Sequence, residues 1–97
     1  MSYKTLIKTV PGKEGKEIFL FALSTCIWCR KTKALMEELG LNYKYVDMDL
    51  LTGADQDEAY LEMEKYNPDT NFPTIVINGG ESIIIGFEED KIRKIYG

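Results

Sequence analysis

The chain has no histidine, only two cysteines, no surplus of positive charge and no long apolar run. Each shortage removes a class of function. Zinc is usually held by a tetrahedral set of Cys and His ligands, and two thiols without an imidazole cannot fill one. A metal or iron–sulfur carrier would need two chains sharing their cysteine pairs. Twelve Lys+Arg against sixteen Asp+Glu give a net charge of −4, which argues against a nucleic-acid partner, since such proteins usually carry a basic surplus. No apolar stretch approaches the ~18–20 residues that span a bilayer, so no membrane is expected. The opening MSYKTLIKTVPGKEGK holds no uninterrupted apolar core of a secretory signal. The expected location is the cytoplasm, a reducing place where a lone cysteine pair does chemistry more often than it staples a fold.

What is present is 44% hydrophobic and 29% charged over 97 residues, enough for one core and a single domain spanning 1–97. Residues 1–16 read as an N-terminal extension in which 3–10 alternate weakly, as a strand would, before a turn at Pro11-Gly12. Residues 17–23, EIFLFAL, are a short apolar run bounded by turn formers, the pattern of a strand buried on both faces. From Ile27 to Leu39 the positions Cys29, Thr32, Met36 and Leu39 recur at helical spacing, and Gly40 suits the place just past a helix end. Residues 42–50 alternate as a second strand. Thr52 followed by Asp55 predicts a helix N-cap with an acid in the first turn. Ala59, Met63 and Tyr66 mark that helix's inner stripe, and Asn67-Pro68 stops it. Residues 74–77 and 82–85 predict a hairpin turning through Asn78-Gly79-Gly80. Glu88, Glu89 and Asp90 then open a last helix closed by Lys91, Arg93 and Lys94, an order that suits the helix dipole. The fold class is α/β: a central mixed four-stranded sheet flanked by helices on both faces, with room for an extra N-terminal strand.

Cys26-Ile27-Trp28-Cys29 lies where the apolar strand gives way to the helix. Three helical positions amount to a rise of ~4.5 Å and a rotation of about 300°, so the two side chains share a face. The resulting Cα separation of roughly 5–6 Å accommodates either two thiols or a disulfide. A purely structural bridge across so short a loop would constrain little of the unfolded chain. Cys26 falls among the first N–H groups of the helix, where free donors and the positive helix end stabilise a thiolate. Arg30 and Lys33 add positive charge nearby. Cys29 shares the inward stripe with Thr32 and Met36 and should be shielded. These features read as a dithiol–disulfide oxidoreductase in which Cys26 attacks a target disulfide and Cys29 then releases the reduced product.

With Asn71-Phe72-Pro73-Thr74 before the third core strand and Ile85-Gly86-Phe87-Glu88 before the last helix, the segment 17–97 resembles the thioredoxin superfamily, and within it the glutaredoxins. The resemblance implies the thioredoxin/glutaredoxin fold, Cys26 as attacking and Cys29 as resolving cysteine, and a cis Pro73 packed opposite the pair. It also implies that Phe72 offers its backbone N–H and C=O to an extended substrate. Trp28 stands where many glutaredoxins carry tyrosine, and its ring either forms a docking surface or folds onto the core. The family places the first core strand inside the sheet, so any strand within residues 3–10 must reach an edge or lie over a face.

Two departures bear on the electron donor. Glutathione-using members usually carry Lys or Arg at the position of Leu23, gripping a glutathione carboxylate, and a second glycine at the position of Phe87, after Gly86. Loss of one charge-assisted bond is worth ~1.5–3 kcal/mol, about ten-fold or more in affinity, although Lys31 or Lys33 could partly replace it. The Gly86-Phe87 pair is closer to the glutaredoxin-like hydrogen donors of ribonucleotide reductase and to redoxins of anaerobes and archaea. The expectation is a monomeric carrier with no cofactor beyond its own redox-active disulfide, acting on protein disulfides. A disulfide reductase, either thioredoxin reductase or a ferredoxin-linked enzyme, is its expected donor, with glutathione as the alternative co-substrate.

Overall fold

Residues 18–22 send side chains to both faces of a sheet, and the protein is organised around that division. The computed structural model describes residues 3–13 and 15–95. Strands β1 (Lys8–Val10), β2 (Ile18–Ala22), β3 (Tyr43–Asp47), β4 (Thr74–Ile77) and β5 (Ser82–Ile85) accompany helices α1 (Ile27–Glu38), α2 (Gly53–Glu64) and α3 (Glu89–Arg93). The sheet has five strands in the order β1-β3-β2-β4-β5. β2 and β3 run parallel, with Leu20 beside Tyr45, as a crossover through α1 requires. β4 is antiparallel to β2, and β5 to β4.

Ile18, Leu20 and Ala22 pack with Leu35 and Met36 of α1 and Ile92 of α3 on one face. Phe21 packs with Val46, Val76 and the α2 residues Ala59 and Met63 on the other. Leu20, Met36, Met63, Ile75 and Ile92 are fully excluded from solvent, each stabilising the fold by about 1.5–3 kcal/mol. The near-continuous apolar character of β2 therefore has a direct cause: it is central and covered on both sides.

The end of α1 follows from one glycine. Gly40 takes φ +70, and its N–H donates to the Glu37 carbonyl at 3.0 Å while Leu41 N–H donates to that of Met36 at 2.9 Å. This paired closure of a helix end needs a left-handed residue after the C-cap. The N-terminal segment packs against the same corner. Lys13 N–H donates to the Gly40 carbonyl at 2.7 Å, and a Cβ on Gly12 would stand 2.4 Å from the Leu41 carbonyl carbon.

Three expectations need adjustment. Only Lys8–Val10 of residues 3–10 is a strand; it pairs antiparallel with β3 at the sheet edge, and Tyr3–Leu6 is a 3₁₀ turn that buries Tyr3 over the α2 face. The strand expected over 42–50 stops at Asp47 because Met48 and Leu51 are both buried against α2, which an extended chain could not arrange; Met48–Leu50 is a 3₁₀ turn. Thr52 does occupy the N-cap of α2, but its hydroxyl makes no capping bond. No helix among the described residues is long and apolar enough to cross a membrane.

Candidate active site at the head of the first helix

The strand register brings four chain segments to one end of the sheet. Phe21 pairs with Thr74 and Ala22 with Asp47, so Leu23, Pro73 and the end of β3 lie side by side. Gly86 N–H donates to the Pro73 carbonyl at 2.8 Å, adding the end of β5. β2 leaves this point through a turn in which Cys26 N–H donates to the Leu23 carbonyl at 3.2 Å. Cys26 then serves as the N-cap of α1, with extended backbone (φ −83, ψ 119). Its carbonyl accepts the Arg30 N–H at 3.1 Å, and its Sγ accepts the Cys29 N–H at 3.2 Å. A sulfur thus performs the task usually given to a Ser or Asp oxygen, taking up a helix donor that has no partner within the helix.

Both cysteines are free thiols, Cys26 half-buried and Cys29 without solvent exposure. The Cys29 thiol is pushed up to about 12, first by burial, then by its hydrogen bond with Cys26, and further by that sulfur's charge. The Leu23 backbone and the Lys33 ammonium act in the opposite direction. The two sulfurs share one turn of helix yet occupy different environments, one reachable and one dry.

The aromatic and basic residues are committed to particular partners. Trp28 is 51% exposed, so its ring does not fold onto the core. It stacks on Phe87 at 5.8 Å, with Lys31 Nζ 4.6 Å from its centroid. Lys33 donates to Asp47 Oδ1 at 2.9 Å in a largely buried ion pair and lies over the Tyr45 ring. Arg30 is exposed on the helix surface. The Phe72–Pro73 peptide bond is cis, as the resemblance implies. Pro73 is buried, while Phe72 is half-buried with its ring edge-on to Tyr60. Among the described residues, neither main-chain group of Phe72 is bonded to another main-chain group. Leu23 is half-buried and packs against the α2-side cluster.

Two supports escaped the sequence. Asp49 accepts from both the N–H and the hydroxyl of Ser24, fixing the turn that delivers Cys26. These bonds, the Ser24 hydroxyl first, hold the Asp49 carboxyl below the usual carboxylate range. Asn67, 2% exposed, donates from Nδ2 to Thr74 Oγ1 at 3.0 Å and accepts Asp69 N–H at 3.2 Å. Thr74 Oγ1 in turn donates to the Asn71 carbonyl at 2.6 Å, so the loop carrying Phe72 and Pro73 is tied from within. Asn67 reads as a helix stop in the sequence, and that signal masks its second role. For Asp49 the only sequence signal is a place in an alternating pattern, which points to strand.

The sequence model of the glutaredoxin family matches residues 18–83, from β2 into β5. The chain belongs to the glutaredoxin family. A glutaredoxin-like protein of 8.6 kDa from the rubredoxin operon of Clostridium pasteurianum is 32% identical over 78 residues, covering 80% of this chain and 95% of that one. The crystal structure of a glutaredoxin from Methanosarcina mazei Go1 superposes with a TM-score of 0.83 at 41% identity, covering 94% of this chain and 87% of that one. Methanoredoxin from Methanosarcina acetivorans superposes with a TM-score of 0.76 at 38% identity, covering 84% and 93% respectively. This glutaredoxin is thus a thioredoxin-fold member of a thiol–disulfide redox family, and its two cysteines lie where the fold gathers four chain segments.

Proposed function

We propose that this glutaredoxin is a dithiol carrier that reduces protein disulfides through Cys26 and is re-reduced by a disulfide reductase rather than by glutathione. The observation that carries the reading is the division of labour at the head of α1. Cys26 Sγ is reachable and accepts the Cys29 N–H, whereas Cys29 has no solvent exposure. In the first step the Cys26 thiolate attacks one sulfur of a client disulfide, forming a mixed disulfide and releasing one client thiolate. Cys29, deprotonated, then attacks Cys26 Sγ; the Cys26–Cys29 disulfide forms and the second client thiolate leaves. Two electrons pass to the client, and its two thiolates take up protons.

The order of attack has a physical cause. Of the three influences that raise the Cys29 thiol, two belong to Cys26: the hydrogen bond between them and the Cys26 charge. Both vanish once Cys26 is tied into a mixed disulfide, leaving burial opposed by the Leu23 backbone and Lys33. Cys29 ionises more readily when it is needed. Beside it, the unpaired Phe72 main chain and the Trp28–Phe87 shelf offer an extended client a strand partner and an apolar contact.

The arrangement of the cations supports this choice of donor. Leu23 is packed among apolar side chains, and the two lysines that might replace a cation there are engaged, Lys33 with Asp47 and Lys31 with Trp28. A glutathione carboxylate therefore finds no fixed charge at the position glutathione-using members provide. A Cys29→Ser variant incubated with insulin should accumulate a mixed disulfide through Cys26. The wild type, oxidised, should be reduced faster by thioredoxin reductase or a ferredoxin-linked reductase than by glutathione. No trapped adduct would overturn the two-cysteine mechanism, and efficient glutathione-coupled turnover would overturn the donor assignment.

A further inference from the structure

The two edges of the sheet are guarded unequally. β1 is three residues long, begins with Lys8 and runs on into Pro11; shortness, Lys and Pro all discourage a further strand from pairing. β5, Ser82–Ile85, is one residue longer and carries neither Lys nor Pro, and among the described residues only β4 pairs with it. The phase of the β4–β5 ladder identifies the open groups. Because Gly86 N–H donates to the Pro73 carbonyl, Ile84 and Ser82 also face β4, while Ile83 and Ile85 turn their N–H and C=O outward. The same two residues expose their side chains, 37% and 44%. Both lie on the α2 face, Ile83 opposite Val76 and Ile85 opposite Thr74. Each therefore presents a donor, an acceptor and an apolar side chain at strand spacing.

The ends of this edge are acidic. Glu81 precedes β5, and Glu88 and Asp90 follow Phe87, all exposed; Glu89 between them is paired with Arg93. A second copy of the chain is a poor occupant, because β5 against β5 about a two-fold axis sets Glu81 of each copy toward Glu88 of the other. We infer that the β5 edge is a docking site for an extended segment of a partner protein, apolar at alternate positions and bearing Lys or Arg at both ends. The segment adds to the sheet as a further strand, exchanging main-chain bonds with Ile83 and Ile85. β5 leads into Gly86 and Phe87, whose ring stacks on Trp28, so a docked partner is tethered beside Cys26. That consequence rests on the thiol exchange proposed above; the binding itself does not.

The test uses the full reduced chain, labelled for NMR, and its Cys26→Ser variant. In the free protein the Ile83 and Ile85 amides should exchange with solvent freely while Ile84 is protected; protection at all three would overturn the inference. The peptide acetyl-Lys-Val-Thr-Val-Lys-amide should then shift the Ile83 and Ile85 amides saturably in both proteins. Replacing its lysines by glutamates should weaken binding about five-fold or more, less so at high salt. N-methylating its valine amides, or the substitution Ile83→Lys in the protein, should abolish it. No saturable shift at β5, equal binding of the acidic or N-methylated peptide, or β5 shifts that grow with protein concentration alone would overturn it. Peptide binding that persists in Cys26→Ser leaves the inference standing even if the exchange mechanism fails.

Discussion

A thiol held protonated inside a fold is a charge waiting to be created, and alkaline solution is the perturbation that exposes its cost. Cys29 is fully buried, and its thiol is pushed from an ordinary value of 9.0 to about 12, chiefly by burial. The native state therefore holds this proton more tightly than the unfolded chain does. The corresponding stability is complete below about pH 9 and is lost progressively as pH rises toward 12, because the unfolded chain ionises first. At about 1.4 kcal/mol per pH unit, raising the pH from 9 to 10.5 costs the reduced protein about 2 kcal/mol from this group alone. Urea unfolding of the reduced wild type and of Cys29→Ser at both pH values isolates the effect. The buried tyrosines Tyr3 and Tyr43, whose hydroxyls are also held protonated by burial, titrate in both proteins and cancel. The wild type should lose about 2 kcal/mol more than the variant over this interval. Parallel losses would refute the claim that Cys29 is dry and neutral.

The donor and the loop give two more predictions. Leu23→Lys restores a cation at the edge of the site and should raise glutathione-coupled turnover about ten-fold, the value of one charge-assisted bond; no gain would mean that the missing cation does not set the donor. Asn67→Ala removes the bonds to Thr74 and Asp69 and opens a small void, a loss of about 2–3 kcal/mol and roughly 10–20 °C in Tm. Calorimetry checks the magnitude, and a raised KM for a disulfide substrate checks that the loop carrying Phe72 and Pro73 has loosened.

Much of this arrangement could be read from local pattern, and the reason is physical. β4 and β5 fall at Thr74–Ile77 and Ser82–Ile85, as the apolar runs either side of Asn78-Gly79-Gly80 indicate. The buried stripe of α1 carries Cys29, Thr32 and Met36 because helical spacing alone fixes a face. Cys26 at the N-cap is equally local, needing only a strand that ends and a helix that begins. What escaped depends on contacts between distant residues. Ser24 and Asp49 are 25 positions apart, and Lys33 reaches Asp47 across 14. No periodicity announces either pair. Lys33 is expected near the cysteines as a charge that stabilises the thiolate; in the fold Asp47 holds it, and its field bears on the buried Cys29 thiol. β1 leaves little trace in the sequence for the same reason. Its alternation is weak because it has one neighbour and little to bury, so its place beside β3 comes from the sheet and not from its own three residues.

The central claim is that one sulfur is reachable and the other sealed, and thiol alkylation tests it most directly. Reduced native protein treated with iodoacetamide at neutral pH, quenched over time and mapped by mass spectrometry, should carry its label on Cys26 alone, with Cys29 modified only after denaturant is added. Labelling of Cys29 at a rate comparable to Cys26 in the native protein would contradict the account.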